Sequence, residues 1–177
     1  MALNFQDSSN FTKHIRWMAS TSTWQKSGDN GPEVINWTEA VFDLERIKTG
    51  WLKFEPGMAP EFNYDADLKT AAPKPSDGGD WKRGFSVKVY GDALEGLREW
   101  ATNSKGAVIG IDALHDLYTQ GVSANEGKLP VVKFDGAKPM KIGQGHTSVP
   151  MFSISKWVER PAEMQGGAAN ANGSTEF

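Results

Sequence analysis

Residues 81–91, WKRGFSVKVYG, alternate side chains with a period of two. An extended strand has that period, and it sets Phe85, Val87 and Val89 on one face and Lys82, Ser86, Lys88 and Tyr90 on the other. A segment written this way requires a sheet with one buried face and one wet face. WLKFE at 51–55 repeats the pattern, with Leu52 and Phe54 opposed to Trp51, Lys53 and Glu55.

The surrounding segments extend the β reading. Val34, Ile35, Trp37, Val41, Phe42 and Leu44 lie in a stretch of β-formers that ends near Lys48-Thr49-Gly50. LPVVKFD (129–135), AKPMKIG (137–143) and VPMFSISKWVE (149–159) supply later strands. Helical spacing intervenes twice, at Ala93, Leu97 and Trp100 and at Ile111, Leu114, Leu117 and Tyr118, the latter stopping at Gly121. Pro56, Pro60, Pro73 and Pro75 mark residues 56–80 as a long surface loop.

This order predicts a mainly β chain with an inserted helix, arranged as a five-stranded OB-fold-like Greek-key barrel over residues 33–160. An α+β sandwich shares the same element order with different pairing. Residues 1–32 are polar with isolated aromatics (Phe5, Phe11, Trp17, Trp24) and form an N-terminal extension packing on the barrel. Residues 161–177 are a flexible tail: GGAANANGST has linker composition and is followed by Glu176-Phe177.

Composition narrows the chemistry. The 177 residues contain no cysteine, which removes thiol nucleophiles, thiolate metal sites and disulfides. A net charge of −3 argues against a protein that coats duplex everywhere. There is no phosphate-cradling GxxxxGK[ST], and His14, His115 and His146 have no nucleophile or carboxylate partner set by spacing. Asp65, Asp67, Asp77 and Asp80 do not match a calcium loop. The expectation is a non-enzyme without metal or cofactor. MALNFQDSSNFTKHIRW lacks the apolar run of a signal peptide, so a soluble, cytoplasmic protein is expected.

Seven tryptophans among 19 aromatics need a use. If the inward faces fill a barrel, the outward ones carry Trp51, Lys53, Lys82, Lys88, Tyr90 and Trp157. Aromatic rings stack on unpaired bases at about 1–3 kcal/mol each, and ammonium groups follow the phosphates. Residues 128–160, which include Lys133 and Lys156, hold six bases against two acids. The plainer alternative is that neighbouring segments cover these rings, making them core; Trp100, on an apolar stripe, reads that way.

KTGWLKF (48–54), WKRGFSVKVY (81–90) and a tail ending in phenylalanine resemble bacteriophage-encoded single-stranded DNA-binding proteins of OB-fold type. The resemblance implies non-catalytic, largely sequence-independent binding of single-stranded DNA in phage replication, recombination or repair, in the host cytoplasm. It implies Trp51, Trp81 and Tyr90, with Trp157 as a further candidate, as stacking residues, and Lys53, Lys82, Arg83 and Lys88 as phosphate contacts; the basic stretch adds Lys133 and Lys156 as phosphate candidates. Strict alternation puts Arg83 on the Phe85 face, so a strand end or a bulge is needed to bring it to the groove. Glu176 and Phe177 would recruit replication or recombination partners, although the chain lacks the run of acids expected before such a tip. A homodimer is left open. The rival reading is a protein–protein or phage structural module using the same aromatics.

Overall fold

The computed structural model describes residues 13–28 and 30–165. In chain order the strands are β1 (His14–Met18), β2 (Thr23–Gly28), β3 (Gly31–Ile35), β4 (Glu39–Phe42), β5 (Lys48–Lys53), β6 (Glu61–Tyr64), β7 (Lys82–Gly91), β8 (Gly96–Thr102), β9 (Lys128–Ile142) and β10 (Gly145–Glu159), with helix α1 (Lys105–Gly121) between β8 and β9. The chain is mainly β, with an open mixed sheet in the order β10-β9-β4-β7-β8-β1-β2-β3. β5 and β6 branch from β7.

The alternation at 82–91 becomes β7, and Phe85, Val87 and Val89 are buried as that alternation requires. β4 and β5 lie in succession along the same edge of β7, Phe42 opposite Val89 and Thr49 opposite Phe85. The short 3-10 turn Leu44–Arg46 interrupts them. Asp43, at that interruption, is 2% exposed and receives Arg160 from beyond β10 at 2.6 and 3.1 Å. This charge pair pins the end of β10 to the break.

Three elements depart from the sequence reading. Residues 93–101 do not form a helix. Asp92–Leu94 is a 3-10 turn, Glu95 and Gly96 take positive φ (62° and 109°), and the chain returns as β8. Seven register pairs with β7 outweigh a local helical spacing, and Trp100 is core on a strand rather than on a helix. Residues 14–35 are a three-stranded meander that joins the sheet through parallel pairing of Ile15 with Trp100. Within the expected loop, Glu61–Tyr64 is a strand on β5.

The core explains most of the tryptophans. Trp24 lies 5.1 Å from Trp17, 5.3 Å from Trp37 and 4.7 Å from Trp100, centroid to centroid. Phe42, Phe134 and Phe152 close the cluster. The Trp17 indole N–H donates to the Ser148 carbonyl at 3.0 Å, so the β1–β2 hairpin reaches β10 as well as β8. Helix α1 lays Ala107, Ile111, Leu114 and Tyr118 on this core. No helix among the described residues is long and apolar enough to cross a membrane.

Candidate nucleic-acid interface

Directly opposed residues in an antiparallel ladder share a face, so the register divides the expected site residues in two. Lys133 opposes Glu39, Val131 opposes Val41, and Val41 opposes Tyr90. Along β7 the same face continues through Lys88 (opposite Glu99), Ser86 (opposite Lys48), Gly84 (opposite Gly50) and Lys82 (opposite Leu52). Gly50 in turn opposes Tyr64, and Leu52 opposes Phe62. Lys156 opposes Val131. The outer face therefore gathers Tyr90, Lys82, Lys88, Lys133 and Lys156.

The register sends the others elsewhere. Trp51 opposes Arg83 on the face shared by Phe85, so Arg83 meets Trp51 with no bulge. Lys53 has the same parity. Trp81 precedes β7 and is 7% exposed, its N–H donating to Asp77 at 2.8 Å and one face covered by the Lys53 ammonium at 5.1 Å. Trp157 pairs with Pro130 and packs on Tyr118 of α1, with centroids 5.7 Å apart. Glu176 and Phe177 lie outside the described residues.

The outer face also holds residues that the sequence reading does not assign to it. Phe62 and Tyr64 stand side by side on β6, 5.5 Å apart and near parallel, and Phe54 meets Phe62 at 6.1 Å. Phe54, expected inside, is 38% exposed, and Phe62 is 39% exposed. The Lys48 ammonium caps the Tyr64 ring at 5.2 Å. Beside them a cavity of about 120 Å³ is lined by Arg46, Lys48, Tyr64, Ser86, Lys88 and Glu99. Glu61-Phe62-Asn63-Tyr64 alternates as strands do, and that was the available signal. A second, open depression of about 240 Å³ includes Tyr90, Lys156, Glu39 and Asp92. The row from Lys82 to Tyr90 spans about 27 Å at strand spacing.

The two aromatic groups differ in how firmly they are covered. An exposed cation–π contact contributes about 0.5–1 kcal/mol, whereas base stacking contributes about 1–3 kcal/mol. The Lys48 ammonium over Tyr64 is a cover of the weaker kind. Trp51 is held more tightly: its N–H donates to the Ala72 carbonyl at 2.7 Å, and Arg83 and Lys74 lie over the ring. Arg83 is itself fixed by donating to both oxygens of Asp65, at 2.9 Å to Oδ1.

Asp65 is the anchor of the segment between β6 and β7. Its side chain is 3% exposed and also accepts from the Thr49 hydroxyl and the Ala72 backbone N–H, both at 2.7 Å. The Arg83 guanidinium, with these donors, outweighs burial and holds the carboxyl far below the ordinary carboxylate range. The folded-state value is the lower one, so this contribution is complete above about pH 5 and fades as pH falls toward the folded value. Asp65→Asn at pH 7 is expected to expose residues 66–80 to limited proteolysis several-fold faster than wild type. Wild type should keep its protection down to about pH 5 and lose it progressively as pH falls further. Equal cleavage rates at pH 7 would show that Asp65 does not hold the segment.

Glu99 is the acid within the basic row. Burial alone would raise its carboxyl, but the Ser86 hydroxyl and the Lys88 ammonium, 3.2 Å away, bring it below its ordinary value.

No family model, curated protein or solved structure matches this chain.

Proposed function

We propose that this chain is a non-catalytic single-stranded DNA-binding protein whose strand lies along the outer face of β5–β8, stacking on Phe62 and Tyr64 with its phosphates on Arg46, Lys48, Lys82 and Lys88. One observation carries the reading: the register sets aromatics and cations of three strands, β5, β6 and β7, on one face, and Arg46 joins them at the cavity. Tyr90, Lys133 and Lys156 extend the same face toward β9 and β10.

The strand order supports an OB-fold-like reading. Taking β4–β5 as one interrupted strand, the path β10-β9-β4-β7-β8 follows the fifth, fourth, first, second and third strands of such a barrel, with the helix between third and fourth. Here β1 takes the parallel place beside β8, and Trp17 links it to β10. OB-folds bind oligonucleotides on the face of the second and third strands, which here are β7 and β8. The resemblance noted above extends the reading to phage replication, recombination or repair, with partners taken by the C-terminal tip.

Fluorescence anisotropy of labelled oligo-dT tests the proposal. Four phosphate contacts on a single strand give a slope of about −3 in log affinity against log salt, or about fiftyfold weaker binding between 50 and 200 mM. Lys48→Ala should reduce that slope by about 0.7. No binding at micromolar protein in about 50 mM salt, or binding indifferent to salt, would overturn the proposal. If instead the exposed aromatics join two copies or a protein partner, sedimentation would show assembly that Phe62→Ala abolishes.

A further inference from the structure

We propose that the cavity beside Tyr64 is a base subsite that selects an amino-bearing edge, cytosine over thymine, with Glu99 as the acceptor. The inference rests on the single-stranded DNA reading and adds base preference to it. A face that only tracked phosphates would gain nothing from a carboxylate in its middle, because like charges repel. Yet Glu99 lines the cavity among Arg46, Lys48 and Lys88.

Glu99 is built to accept. Its side chain is 15% exposed, and it is oriented from two sides by Ser86 and Lys88, both on the neighbouring strand β7. Its backbone N–H donates to the Lys13 carbonyl at 2.8 Å, which fixes the strand beneath it. An ionised carboxylate offers about four acceptor sites, and these two donors use two of them. Glu99 borders a space of about 120 Å³, room for one ring edge. Tyr64 supplies a wall on which that ring stacks, and Arg46 and Lys48, both exposed, stand where a flanking phosphate would lie.

Cytosine presents its N4 amine to such an acceptor. Thymine presents the O4 carbonyl at the same position, oxygen against oxygen. Acidic side chains read cytosine through this amine, and one good contact discriminates by about five- to tenfold or more.

The test compares labelled oligo-dC and oligo-dT of equal length by anisotropy, for wild type and Glu99→Gln. Wild type is expected to bind oligo-dC at least about fivefold more tightly. Glu99→Gln should bring the two within about twofold, since an amide both donates and accepts. Equal wild-type affinities would overturn the base subsite while leaving single-stranded DNA binding in place. So would a preference that survives Glu99→Gln. Failure of both oligonucleotides to bind would remove the functional reading itself, and this inference with it.

Discussion

Trp24→Ala is expected to lower the thermal midpoint by about 10 °C or more. Trp24 touches Trp17, Trp37, Trp100, Phe134 and Phe152, so its removal opens a void bordered by rings from β1, β8, β9 and β10 and from the link between β3 and β4. Aromatic-to-alanine changes in such sites cost about 3–5 kcal/mol, and 1 kcal/mol shifts the midpoint by about 2–4 °C in a chain of this size. Trp24→Phe should cost much less. Among the described residues the Trp24 indole N–H finds no acceptor, so phenylalanine removes an unsatisfied donor along with volume. Thermal unfolding followed by near-UV circular dichroism checks both, and hydrogen exchange should show residues 14–35 opening first. If Trp24→Ala and Trp24→Phe fall within about 1 kcal/mol of each other, the site collapses around the loss and the ring cluster is not what fixes the N-terminal strands.

The same cluster shows what the sequence could and could not disclose. Alternation over 82–91 is long enough to fix both the strand and its buried face, and the helix ending at Gly121 has a clear apolar stripe. In β1 the inward pair Ile15 and Trp17 is real alternation, but five residues between polar turns do not separate it from an extension with stray aromatics. β8 was hidden by a coincidence of spacing: Ala93, Leu97 and Trp100 fit a helix, while the pairing that makes Leu97 and Trp100 strand is with β7 and lies outside the segment.

Face assignment failed for a different reason. Alternation splits one strand into two faces but does not say which of them matches which face of its neighbour. Trp51, not Leu52, shares the side of Phe85 because Thr49, not Lys48, falls opposite Phe85, although Leu52 is fully buried as expected. That one-residue relation takes Trp51 and Lys53 off the face that carries Lys88 and Tyr90, and it brings Trp51 to Arg83. Gly50 and Gly84 sit opposite each other where β6 crosses. A Cβ at Gly50 would lie 2.5 Å from the Asn63 carbonyl oxygen, so the close approach that seats Tyr64 needs glycine there.

The double variant Phe62→Ala/Tyr64→Ala is expected to weaken oligo-dT binding about a hundredfold or more while leaving the fold intact. Each ring forfeits about 1–3 kcal/mol of stacking, and the losses combine because both rings lie on one strand of one face. Stability should change little, since Phe62 is exposed, β6 pairs only with β5, and neither ring belongs to the central cluster. The salt slope should remain near wild type, because Arg46, Lys48, Lys82 and Lys88 are untouched; stacking and phosphate contact thus separate in one experiment. Trp157→Ala is the contrasting variant. Its ring packs on Tyr118 under α1, so it should destabilise the protein and spare binding by folded molecules. If the β6 double variant binds like wild type while Trp51→Ala abolishes binding, the strand lies on the Trp51–Arg83 side of the ribbon. The segment anchored by Asp65 would then have to open before DNA could enter.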